Sequence, residues 1–146
     1  IVDHDDDYIA ATGAKRVELE ELLSTSDIVT LHVPLDRVTE HMISERELRL
    51  MKPTAILINT CRGPVVDENA LIRGLESKEI FAAGLDVTEI EPIENDNPLP
   101  TMSNVVVTPH LATRALESEQ NSAQFTMENV GRVVRGEDPD WIVEPA

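Results

Sequence analysis

The chain has 146 residues, with 28 acidic against 12 basic side chains and a formal net charge of −16. That length fits one domain, and 41% hydrophobic with 27% charged residues is the balance of a globular rather than a disordered protein. The charge excludes a neutraliser of nucleic-acid phosphates, no apolar run approaches the roughly 20 residues of a membrane span, and the single cysteine, Cys61, excludes an internal disulfide framework and suits a cytoplasmic protein.

In chain order, Ile1-Val2 reads as the end of a strand, followed by an acidic turn from Asp3 to Asp7. An opening of Ile-Val rather than Met, with no signal-peptide pattern, reads as a cut through something longer. Val17 to Ser24 reads as a short helix, and Asp27 to Val33 as a buried strand stopped by Pro34. Ser44 and Glu47 form a capping box, which predicts a helix from about Ser44 to Met51. Ala55 to Asn59 (AILIN) is apolar and rich in β-branched residues, the pattern of a strand buried on both faces. Asp67 caps a helix through Ser77, with Leu71 and Leu75 on one side. Ile80 to Val87 contains a small-residue strand, Glu89 to Pro100 is a loop, and Asn104 to Thr108 is a further strand. Arg114 to Arg135 reads as a long helix ending at Gly136. The tail from Glu137 to Ala146 carries the only tryptophan, Trp141, which is expected to pack against something. Only Lys15, Lys52 and Lys78 are lysines. An acidic, lysine-poor surface fits adaptation to high salt, in which added KCl raises stability by screening repulsion, or an ordinary acidic protein.

Strands separated by helices mean βαβ units, a parallel sheet and an α/β fold. In such sheets ligands bind beyond the carboxyl ends of the strands. The residues placed there are His32-Val33-Pro34, Thr60-Cys61-Arg62-Gly63, Asp86 to Pro92 and Pro109-His110. Among the ionisable residues there, Arg62, Asp86, Glu91 and His110 are conspicuous. The Arg62 guanidinium is a planar fork suited to gripping a carboxylate; the alternative is a structural ion pair with nearby acids. His110 suits proton donation, or a structural role. Glu91 precedes Pro92 among other acids and reads alone as solvated. Taken together, a carboxylate that supports a protonated imidazole and an arginine that holds an anion are equipment for interconverting 2-keto and 2-hydroxy acids.

Met51 to Asp67 (MKPTAILINTCRGPVVD) resembles the signature stretch of the D-isomer-specific 2-hydroxyacid dehydrogenases. The resemblance extends to SDIVTLHVPL at Ser26 to Leu35, TEHMI at Thr39 to Ile43, AAGLDV at Ala82 to Val87, Glu91-Pro92, NVVVTPH at Asn104 to His110 and ENVGRVVRGEDP at Glu128 to Pro139. It implies a Rossmann-like doubly wound parallel sheet that lacks its first βαβ unit. Residues 1–113 would be part of the NAD-binding domain, and 114–146 a helix and tail toward the substrate domain. It implies catalytic roles for Arg62 on the substrate, Glu91 on the histidine and His110 as proton donor or acceptor. NAD contacts would come from Val33, Pro34, Thr60, Cys61, Arg62, Asp86, His110, Ala112 and Thr113, with Cys61 packing rather than acting as a nucleophile. Asp6 would meet the adenosine ribose, with Asp5 the competitor. After His110, LATRALE departs from the family's usual small-residue run and leaves the contacts of Ala112 and Thr113 open.

No G-x-G-x-x-G occurs among the six glycines; in the family that phosphate-binding motif lies upstream. The resemblance further implies a full-length homodimer acting on a small 2-hydroxy or 2-keto acid; no metal site is expected, and charge and hydropathy exclude nucleic-acid and membrane partners. Two other readings follow the same resemblance: an NAD-sensing scaffold like the corepressors called C-terminal binding proteins, or a piece inactive on its own.

Overall fold

In a computed structural model the described residues are 9, 11–140 and 142. The expectations for Ile1-Val2, for Asp3 to Asp7 and for Trp141 lie outside them. The chain divides into two compact units, residues 1–110 and 111–146, where the sequence reading divides it after Thr113.

The first unit is built on four short parallel strands in the order β1-β2-β3-β4. They are β1 (Ile28–Leu31), β2 (Ile56–Asn59), β3 (Ala82–Leu85) and β4 (Val105–Val107). Helix α1 (Leu19–Thr25) precedes β1, α2 (Glu45–Leu50) joins β1 to β2, and α3 (Glu68–Glu76) joins β2 to β3. The α/β class expected from the alternation is what forms. Helix α1 starts later than expected because Glu18, with φ −69° and ψ 156°, is still extended. The two capping signals hold: the Ser44 N–H donates to the Glu47 carboxylate at 3.2 Å, and the Asp67 carboxylate accepts from the Ala70 N–H at 2.8 Å. The Glu89–Pro100 loop ends in a 3-10 turn at Leu99–Thr101.

Successive strand residues point to opposite faces, and the two faces fare differently. Val29, Leu31, Leu57, Ala83 and Leu85 are buried with Leu23 of α1, Leu48 of α2, and Leu71 and Leu75 of α3. Each of these valine and leucine side chains contributes about 1.5–3 kcal/mol by leaving water. On the other face Ile28 and Val106 are exposed, while Ile56 and Ile58 are half-buried. The expectation that residues 55–59 are buried on both faces is therefore corrected. Among the described residues, helices α1 to α3 cover only one side of β2.

Because all strands run the same way, their carboxyl ends meet at one edge. The connections beginning at His32, Thr60, Asp86 and Thr108 all leave from it. In the second unit, helix α4 (Leu116–Val134) is followed by Gly136 in the left-handed conformation, φ 76°. None of its residues is buried. The tail folds back locally: the Asp140 N–H donates to the Asn129 side chain at 2.7 Å.

Candidate active site

Buried polar groups mark the strand-end edge before any role is assigned. The buried polar residues among those described are Glu47, Asn59, Asp86 and Thr88. Glu47 belongs to the capping box of α2, and the other three sit at the ends of β2 and β3. A polar side chain survives burial only when hydrogen-bonded, so each organises the backbone around it.

Asn59 closes β2. Its amide donates to the Arg62 carbonyl at 2.9 Å, and its Oδ1 accepts from the Cys61 N–H and Sγ, each at 3.1 Å. This fixes the turn that carries Thr60, Cys61 and Arg62, and it occupies the Cys61 thiol. Thr60 and Arg62 are exposed and Cys61 is half-buried. The Arg62 guanidinium donates through Nη1 to the Cys61 carbonyl at 2.6 Å. Gly63 follows, starting a 3-10 turn. A Cβ there would lie 1.9 Å from the Thr88 carbonyl oxygen and 2.6 Å from the Glu89 nitrogen. The turns after β2 and β3 are thus in backbone contact, and the space a side chain would fill is taken by protein.

Asp86, 5% exposed, ends β3. Its Oδ1 accepts from the Thr108 hydroxyl at 2.5 Å, and its carbonyl accepts from the His110 N–H at 2.9 Å. The same N–H lies 3.0 Å from the Thr108 carbonyl. His110 adopts φ 53°, a left-handed conformation uncommon for residues other than glycine and held here by those backbone bonds. Its Nδ1 lies 2.8 Å from Glu91 Oε2. Glu91 Oε1 accepts from the Thr88 N–H at 3.2 Å, and the Glu91-Pro92 bond is cis.

The His110 hydrogen bond, helped by the Thr88 N–H, holds the Glu91 carboxyl below its ordinary value. An ionised carboxylate only accepts, so Nδ1 carries the hydrogen and Nε2 is the nitrogen left to exchange protons. The folded value lies below the unfolded one, so this stabilisation is present above the ordinary value of 4.5 and is lost as pH falls through the folded value. Glu91→Gln is therefore expected to melt below the wild type at neutral pH, with the difference closing in the acid range. A difference that stays constant with pH contradicts this coupling.

The structure thus brings Glu91 to His110, and the Arg62 turn to the Glu91 turn through Gly63. Val33 is half-buried and Pro34 exposed after β1. Ala112 and Thr113 belong to the second unit, and Asp6 lies outside the described residues. The sequence assigns no role to Asn59, Thr88 or Thr108. The one available signal was Asn59, a polar residue closing an apolar run.

Residues 2–112 match the model of the D-isomer specific 2-hydroxyacid dehydrogenase, NAD binding domain. The chain belongs to this family. It is 48% identical over 138 residues to a glyoxylate reductase of Korarchaeum cryptofilum, covering 94% of this chain and 42% of that protein. The D-lactate dehydrogenase of Lactobacillus jensenii with NAD+ superposes with a TM-score of 0.88 at 32% identity, over 99% of this chain and 47% of that one. The D-mandelate dehydrogenase of Rhodotorula graminis gives 0.88 at 36% identity, over 100% and 43%. The chain thus spans less than half the length of each of these D-2-hydroxyacid dehydrogenase relatives. Its sheet is the Rossmann-like NAD-binding fold of the family.

The edge itself fits one end of NAD. The Asp86 carboxylate suits the neutral carboxamide of a nicotinamide and repels a phosphate. Gly63 offers no phosphate cradle, because Thr88 fills the space beside it. Among the described residues no group of three His, Cys, Asp or Glu side chains converges as metal ligands would, and no helix is long and apolar enough to cross a membrane.

Proposed function

We propose that this chain carries the catalytic side of an NAD-dependent dehydrogenase that interconverts 2-keto acids and D-2-hydroxy acids. The observation that carries the reading is the 2.8 Å contact between His110 and Glu91 at the strand-end edge of an NAD-binding domain. When bound, NAD supplies or takes up hydride at the nicotinamide C4. The chain's own residues bind, orient and move the proton. Asp86 accepts a hydrogen bond from the carboxamide, with Thr60, Cys61, Val33 and Pro34 lining the cofactor's path. The exposed Arg62 guanidinium turns from the Cys61 carbonyl to grip the substrate carboxylate, a charge-assisted and geometrically selective contact. Glu91 holds the His110 ring by Nδ1, and Nε2 gives its proton to the carbonyl oxygen as it gains negative charge. In the reverse direction Nε2 takes the proton from the hydroxyl. Asp6 is our candidate for the ribose, which favours NAD over NADP.

The substrate we propose is a small 2-keto acid, glyoxylate first, since curated relatives bear the name glyoxylate reductase. A cytoplasmic homodimer is the form expected of the full-length protein. The test is NADH oxidation by that protein with glyoxylate, hydroxypyruvate and pyruvate, and with NADPH in parallel. Turnover of at least one acid with NADH is expected. NADH binding without turnover of any 2-keto acid would overturn the enzyme reading in favour of a nucleotide-sensing scaffold.

A further inference from the structure

A second polar network lies behind the Glu91–His110 pair. Glu89 belongs to the same turn as Glu91, and its side chain is half-buried with partners of its own. Its Oε1 accepts from the His41 ring at 2.9 Å and from the Glu68 N–H at 3.0 Å. The bond is returned: the Glu89 N–H donates to Glu68 Oε2 at 3.0 Å, and Glu68 Oε1 accepts from the Asn97 amide at 2.6 Å. Glu68 is the first residue of α3, where backbone N–H groups lack helical partners and the helix dipole favours a carboxylate. Glu89 therefore caps a helix that starts 21 residues away from it in sequence.

Four further contacts make that cap a clamp. The backbone of Thr88 and Glu89 rests against Gly63, next to Arg62. The Thr88 hydroxyl donates to the Ile90 carbonyl at 2.8 Å, which closes the turn. The Thr88 N–H donates to Glu91, which holds His110. His41, itself at φ 50°, is fixed by its N–H to the Pro64 carbonyl at 2.8 Å. The connections after β1, β2 and β3 are thereby tied at one carboxylate.

We propose that Glu89 is a positioning residue: through Glu68 and His41 it anchors the 88–91 turn, and so sets where Glu91 holds the His110 ring. This rests on the acid–base reading of that pair. In the full-length enzyme, Glu89→Ala lowers kcat by about 10- to 100-fold, as a misplacement on the order of 1 Å does. KM for the keto acid, set by Arg62, stays within about twofold. Glu89→Gln keeps the one oxygen that accepts from both the Glu68 N–H and the His41 ring, and it recovers most of the loss. His41→Ala, an exposed substitution that leaves the helix cap in place, moves kcat the same way by a smaller factor.

Because Glu89 acts through Glu91, the two are not additive. In a Glu91→Gln background, Glu89→Ala costs less than about a further twofold. Additive losses, or a Glu89→Gln variant as impaired as Glu89→Ala, overturn the positioning role and leave the acid–base reading standing. A Glu91→Gln enzyme with wild-type kcat overturns the acid–base reading instead. A crystal structure of the Glu89→Ala variant decides without any activity: a displaced 88–91 turn with a broken Glu91–His110 bond supports the role, and an intact bond refutes it.

Discussion

His110→Ala in the full-length enzyme is expected to lower kcat for keto-acid reduction by about 10²–10⁴-fold, the usual worth of a positioned general acid. KM should change little, because the imidazole bonds the carbonyl oxygen most strongly once charge has developed there. Arg62→Ala is expected to act differently. It removes both substrate binding and alignment, so KM rises and kcat falls together. Arg62→Lys should restore little of either, since an ammonium lacks the fork that engages two carboxylate oxygens. The assay is NADH oxidation at saturating and limiting keto acid. Near-normal turnover by His110→Ala would sink its assignment. A pure KM effect in both variants would mean that these residues bind the substrate and transfer no proton.

The reach of these expectations reflects what the sequence makes legible. Parallel strands impose a rule that needs only local information: each strand's carboxyl end faces the same edge. Finding the apolar runs before Arg62, Asp86 and His110 is therefore enough to place those residues at one edge. The partnership of Glu91 with His110, 19 residues apart, fits their complementary chemistry, but it is the family resemblance that implies it, since Glu91 alone reads as solvated.

The supporting contacts were not reachable in that way. Glu89 is one of several acids in its loop, yet it is paired with His41 across 48 residues. Nothing in composition or period specifies such a contact, which depends on how two loops leave the sheet. Asn59 was absorbed into an apolar strand, although its position at the strand's end is what lets one amide bond both Cys61 and Arg62. The half-buried face of β2 has a related cause. Ile56 and Ile58 are as apolar as Leu57, and only the placement of the helices decides which are covered. The Arg62 guanidinium, a fork suited to a carboxylate, donates here to the neighbouring Cys61 carbonyl.

The largest effect from a small change is expected at Gly63. Its requirement is space rather than backbone freedom: a methyl group there would sit 1.9 Å from the Thr88 oxygen and 2.1 Å from its carbonyl carbon. Both are backbone atoms that no rotamer change can move. Either the turn bearing Arg62 or the turn bearing Glu91 must shift, and a displacement on the order of 1 Å costs about 10²-fold in rate. Overpacking of this kind also destabilises by about 1–3 kcal/mol or more. Gly63→Ala is thus expected to lose both activity and thermal stability. The control is Gly74→Ala in α3, where the nearest atoms to an added Cβ stand at 3.6 Å and beyond. There the methyl finds ordinary contact, and the gain in helix propensity of about 0.5–1 kcal/mol should raise the melting temperature. Opposite signs for the same substitution, read by thermal unfolding and by kcat/KM, would tie the loss at Gly63 to the contact between the two turns. A Gly63→Ala enzyme with wild-type melting and turnover would show that the turns are not in contact and that Arg62 and Glu91 are positioned independently.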